Sequence, residues 1–92
     1  MAIYVDPLPD YGWRFGPSCH LIADTISELK AFAVKIGLRP EWYQPKSSPH
    51  FDLTVDGRKA AIRAGAIELE MRPFVKKLQE LRAAGWPEGP AA

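Results

Sequence analysis

The sequence predicts a small α/β fold, with a mostly parallel four-stranded sheet and two or three packed helices, and three observations predict it. Four short runs alternate apolar with polar residues, the two-residue period of a half-buried strand. Three other runs repeat apolar residues at spacings of three and four, the helical period. Their order is strand, strand, helix, strand, helix, strand, helix, and strands alternating with helices favour parallel pairs joined by crossovers. The 92 residues make one domain's length, and a composition of 47% apolar and 25% charged residues folds rather than staying disordered. A core of this size is modest, with about 60% of the unfolded chain's surface buried.

The first strand runs from Ala2 to Asp6, with Ile3 and Val5 on one side and Tyr4 and Asp6 on the other. Pro7, Pro9, Asp10 and Gly12 end it. Tyr11, Trp13 and Phe15 then lie in a loop that is expected to pack back onto the domain. Ser18 to Ala23 is the second strand. Thr25 and Glu28 form a capping box, Ile26, Leu29, Phe32, Ala33 and Ile36 make one helical face, and Gly37 followed by Leu38 closes the helix. A connection with three prolines, Pro40, Pro45 and Pro49, carries Trp42, Tyr43 and Gln44, and Trp42 there either fills a gap in the core or serves function.

His50 to Leu53 is the third strand, with Phe51 and Leu53 inward. Thr54 caps a second helix over residues 55–64, closed by Gly65. Residues 66–72 alternate as a fourth strand, and Pro73 opens a last helix with Phe74, Val75, Leu78 and Leu81 as its apolar stripe. Gly85 stops it and Trp86 packs back. The domain is thus expected over residues 1–86, with a flexible tail over 87–92.

In open α/β sheets, ligands collect beyond the carboxyl ends of strands. Asp6 ends the first strand, Asp24 the second, and His50, Asp52 and Thr54 run along and off the third. These residues meet if the strands are parallel neighbours. Period two places His20 and Asp24 on one side of their strand, and His50 and Asp52 on one side of theirs. Two imidazoles and neighbouring carboxylates suit a divalent metal held by His20, Asp24, His50 and Asp52. They equally suit acid–base catalysis by His20, His50 and Asp52, a carboxylate orienting an imidazole. The plainer alternative has Asp24 capping its helix, both histidines hydrogen-bonded structurally and Asp52 paired with an arginine. Arg58 and Lys59 sit in a first helical turn, where cations oppose the dipole. A bound anion would account for them, and so would an ion pair with Asp56 or another acid.

Other chemistries find little support. Cys19 is the single cysteine, so no internal disulfide or zinc-type cysteine pair exists, and it reads as a small buried side chain. No nucleophile elbow and no phosphate-binding glycine loop occurs. A net charge of +1 gives no support for nucleic acid, which would have to rest on Arg58, Lys59, Arg63, Trp42 and Tyr43. No run approaches the ~20 apolar residues of a membrane span, and the first residues lack the pattern of a signal peptide. A cytoplasmic address with no membrane partner is therefore expected.

Several strings together resemble a known family. They are Ile3-Tyr4-Val5-Asp6, His20-Leu21-Ile22-Ala23-Asp24-Thr25 with Glu28-Leu29, Trp42-Tyr43-Gln44, His50-Phe51-Asp52-Leu53, and the run from Arg58 through Ala61 to Gly65-Ala66. In order and type they resemble a bacterial and phage domain-of-unknown-function family, number four-thousand-thirty-one. The resemblance covers residues 2–71 and leaves a helix over 73–85 as an addition. Where that family often has a second acid after the first strand, this chain has Pro7. The resemblance implies that Asp6, His20, Asp24, Trp42, Gln44, His50, Asp52 and Arg58 belong to a shared motif. It implies no particular activity. The family's occurrence in phages suggests a small accessory protein acting on host machinery or nucleotide metabolism.

The leading expectation is thus a small-ligand or nucleotide-phosphate site, metal-assisted and hydrolytic. Asp6, Asp24, Trp42, Gln44 and Arg58 would bind the ligand there. The alternative is a phage-type interaction module, for instance an inhibitor of a host defence complex, meeting a host protein through its C-terminal helix without catalysis.

Overall fold

A computed structural model describes residues 2–7 and 18–89. The elements are β1 (Ile3–Val5), β2 (Cys19–Ala23), α1 (Ile26–Lys35), a short 3-10 helix (Pro40–Trp42), β3 (Phe51–Leu53), α2 (Val55–Arg63), β4 (Ile67–Glu68) and α3 (Met71–Ala83). Their kinds and order are those that the hydrophobic periods predict. The expected packing of Tyr11, Trp13 and Phe15 lies outside the described residues.

The strand order is β3-β2-β1-β4. β1 and β4 pair in parallel, whereas β2 is antiparallel to both β1 and β3. The sheet is therefore mixed and mostly antiparallel, which corrects the mostly parallel expectation. Strands β1, β3 and β4 do run the same way. The reversed strand β2 lies between β1 and β3, so it turns two of the three neighbour pairs antiparallel. For the β2–β3 pair, the connection between α1 and β3 shows how the direction is set. Gln44 and His50 form an antiparallel bridge, with Gln44 N–H donating to the His50 carbonyl at 3.0 Å. The chain thus runs past His50 in the opposite sense, turns over residues 45–49 and only then enters β3. The proline-rich connection contains a hairpin-like reversal, not a simple helix-to-strand return.

The helices cover both faces of the sheet. On one face α1 and α2 bring Leu29, Phe32, Ala33 and Ala61 against Val5, Leu21, Ala23, Phe51 and Leu53. On the other, α3 brings Phe74 and Leu81, with Trp86, against Tyr4 and Ile22. The alternation in β2 decides this split: Cys19, Leu21 and Ala23 face α1, and Ile22 faces α3.

Local chemistry sets the helix ends. Thr25 Oγ1 accepts from Glu28 N–H at 3.2 Å, and the same hydroxyl donates to Glu28 Oε1, a variant of the capping box. Thr54 caps α2 through Gly57 N–H in the same way. All three helices end in one pattern. The amides of Gly37, Gly65 and Gly85 donate three residues back, and those of Leu38, Ala66 and Trp86 five residues back. Gly37 shows why glycine is needed, since its φ of +87° lies in the left-handed region. Beyond α3, the carbonyls of Pro87 and Glu88 accept from the amides of Ile26 and Ser27, so the start of the expected tail is tied to the first turn of α1.

The fourth strand is shorter than its alternation suggests. Only Ile67 and Glu68 pair, both exposed, and α3 begins at Met71, ahead of Pro73. Proline inside a first helical turn loses no intrahelical hydrogen bond, so Pro73 is tolerated there and does not define the start. No helix among the described residues is long and apolar enough to cross a membrane.

Candidate metal centre

The pairing of β2 with β3 puts His20 directly opposite Asp52. His50 lies two residues before Asp52, on the same side of the strand. The three side chains meet on the α3 face of the sheet. His50 Nε2 lies 3.5 Å and His20 Nε2 3.9 Å from the same oxygen, Asp52 Oδ1. One ligand atom from each residue lies within 4.8 Å of the others. The two rings meet edge-on, with centroids 5.2 Å apart.

The partners on the far side of each ring define the protonation. His50 Nδ1 lies 2.7 Å from the Ser48 carbonyl, which can only accept, so this nitrogen carries a proton. His20 Nδ1 lies 2.8 Å from Asp6 Oδ2 and donates to that carboxylate. Asp6 is buried, and its other oxygen accepts from His20 N–H at 2.7 Å. In the neutral rings both Nε2 atoms are then lone pairs aimed at a carboxylate oxygen, with no hydrogen bond closing the group. Gln44 Nε2 donates to the other oxygen of Asp52 and fixes its rotation. The hydrogen bond to Asp6 holds the His20 pKa above its ordinary value; burial works against this, and the charges of Asp6 and Asp52 support it.

The three converging atoms could hold a divalent cation. Zinc-like ions sit about 2.0–2.2 Å from nitrogen and oxygen ligands, which sets ligand-to-ligand edges of roughly 3.4 Å in a tetrahedral site. The 3.5 Å edge matches this value, the 3.9 Å edge is somewhat longer, and all three ligand atoms lie within 4.8 Å of one another. The carboxylate behind His20 and the carbonyl behind His50 are the partners that orient metal-binding imidazoles and raise their basicity.

Not every expected residue reaches this point. His20, His50 and Asp52 form the cluster, Asp6 and Gln44 stand behind it, and Asp24 is elsewhere. Four residue steps along the extended chain, about 13 Å, separate Asp24 from His20. Its carboxylate accepts instead from the Tyr4 hydroxyl at 2.9 Å and the Ala2 amide at 3.1 Å. Thr25, not Asp24, caps α1. The antiparallel pairing is responsible, because it brings the end of β1 to the start of β2. Asp6 therefore meets His20, while Asp24 meets the start of β1.

Arg58 is engaged with the backbone of Asp6 and with an acid. Its Nε donates to the Asp6 carbonyl at 3.0 Å, and its guanidinium pairs with Glu68 at 3.3 Å. Trp42 neither fills the core nor reaches the cluster. It is 51% exposed with Arg39 over its ring, and Tyr43 packs inward on Phe51 instead. Cys19 is buried and its thiol is pushed up to about 12, mainly by burial, so it is no nucleophile at neutral pH.

A pocket of about 260 Å³ opens beside the cluster, between the sheet and α3. The sheet side contributes His20, Ile22 and His50, α3 contributes Phe74, Leu78 and Arg82, and the turn after Pro45 contributes Lys46, Ser47 and Ser48. Sequence reading missed Lys46, Ser48 and Arg82. Arg82 looks like part of a solvated helix face, and nothing local links it to a turn more than thirty residues earlier. The one available signal is the pair Pro45 and Pro49, which brackets residues 46–48 as a short, stiff turn.

Fold and site together define a small mixed α/β domain with a two-histidine, one-carboxylate cluster at the mouth of a pocket. The chain belongs to the family described as protein of unknown function (DUF4031), whose model matches residues 3–81. The match passes residue 71 and takes in most of α3, so Phe74 and Leu78 of the pocket lie within it, and Arg82 lies just beyond it. No curated protein and no solved structure matches the chain.

Proposed function

We propose that this domain binds one divalent transition-metal ion through His20 Nε2, His50 Nε2 and Asp52 Oδ1 and uses it to hydrolyse a small ligand in the adjoining pocket. The observation that carries this reading is the convergence of three acceptor atoms, each locked from behind by Asp6, Ser48 or Gln44. Nitrogen and oxygen donors of this mixture suit zinc, iron, cobalt or manganese rather than calcium or magnesium. Three protein ligands leave coordination positions open, and a water taken there becomes a nucleophile near neutral pH. No described hydroxyl or thiol hydrogen-bonds to either Nε2 atom, so a metal-activated water suits the site better than a side-chain nucleophile.

Calorimetric titration with Zn²⁺ and Mn²⁺ tests the proposal. One ion per chain is expected, with binding lost in His20→Gln, His50→Gln and Asp52→Asn and retained in Asp24→Asn. Absence of saturable binding by the unsubstituted protein would overturn it. Turnover of small esters that stops with chelator and is indifferent to oxygen would establish the hydrolytic part.

A further inference from the structure

The pocket lining beside the cluster carries chemistry that metal binding does not use. Lys46 comes from the turn between Pro45 and Pro49, and Arg82 from the last turn of α3. Among the described residues neither has an ion-pair partner, whereas Arg58 and Lys77 each have an acid. Arg82 Nε donates to Ser48 Oγ at 2.7 Å, and among the described residues its terminal amino groups have no hydrogen-bond or ion-pair partner. Ser48 thus serves two elements at once. Its carbonyl orients the metal-ligand candidate His50, and its hydroxyl orients Arg82. Ile22, Phe74 and Leu78 add an apolar surface to the same pocket.

Two cations and an apolar surface in one pocket, with the candidate metal centre alongside, suit one kind of ligand. We infer that the pocket takes a small phosphate monoester with an apolar body. Its phosphate would lie between Lys46, Arg82 and the centre, and its body against Phe74 and Leu78. A phosphate monoester carries close to two negative charges at neutral pH and matches both cations, whereas a carboxylate matches one. A cavity of about 260 Å³ accommodates a body the size of a single ring. The inference rests on the proposed metal centre only for the third contact to the phosphate.

Calorimetry with phenyl phosphate, run on metal-free and Mn²⁺-loaded protein, tests it. Phenyl phosphate should bind both forms, more tightly with metal, and more tightly than inorganic phosphate. Phenol should not bind. Lys46→Gln and Arg82→Gln should each weaken binding roughly tenfold, the cost of one charge-assisted contact. Ser48→Ala, which keeps the carbonyl, should weaken phenyl phosphate and spare Mn²⁺. Equal affinity in the unsubstituted and Lys46→Gln/Arg82→Gln proteins, or benzoate binding as tightly as phenyl phosphate, would overturn the inference. Phenyl phosphate binding without any metal binding would instead sink the metal centre and leave the anion site standing.

Discussion

Asp6 is the residue on which the cluster turns. It is buried at the end of β1, accepts from the backbone and ring of His20, and has its own carbonyl held by Arg58. Outer partners of this kind are worth about 10–100-fold in metal affinity. Asp6→Asn should therefore weaken Zn²⁺ binding by that order in calorimetry, although Asp6 does not touch the ion. The same hydrogen bond gives a pH signature. The folded His20 pKa is raised, so in metal-free protein the protonated pair stabilises fully below the unfolded value of about 6.5. That contribution disappears as pH rises through the folded value. Urea unfolding should show this decline in the metal-free protein and not in His20→Gln. Because the ion takes Nε2, metal affinity should rise across the same window as the competing proton leaves.

Among the elements, α2 offers the sharpest test of local propensity against packing. Gly57 lies in its first turn, where glycine costs up to about 1 kcal/mol relative to alanine. A Cβ added there would sit 3.4 Å from Leu53 Cδ2 and from Thr54 Oγ1, ordinary contact rather than clash. Gly57→Ala should stabilise the protein by about 0.5–1 kcal/mol, read as a higher urea midpoint at unchanged slope. Thr25→Ala should do the opposite, by about 1 kcal/mol, because it removes the acceptor for Glu28 N–H at the head of α1.

At the scale of the whole molecule, the far side of the sheet depends on how α3 is pinned. Trp86, just beyond α3, is buried with Tyr4, Ile22, Phe74 and Leu81. Its neighbours Pro87 and Glu88 then cap α1, so one short segment joins the end of the chain to the start of another helix. Trp86→Ala should cost about 3–5 kcal/mol, a large part of a small domain's stability, and should loosen the pocket wall. Trp86→Phe should cost much less, since the buried indole N–H has no partner among the described residues and its removal forfeits no hydrogen bond. Thermal unfolding of the two variants would separate these expectations.

Much of this protein is written locally. Hydrophobic period assigns each run to helix or strand, Thr25 and Thr54 mark where helices start, and three glycines mark where they end. The two-residue period also places His20, His50 and Asp52 on faces that could meet, and the family resemblance rested on the same strings. Period assigns a face, however, and says nothing about which strands are neighbours or which way they run. Those choices depend on the reversal between Gln44 and His50 and on burial of β2 at the centre of the sheet, both non-local. Only tertiary structure therefore substituted Asp6 for Asp24 beside His20, tied Arg58 to the backbone of Asp6, and carried Lys46, Ser48 and Arg82 from distant stretches of chain to a single pocket.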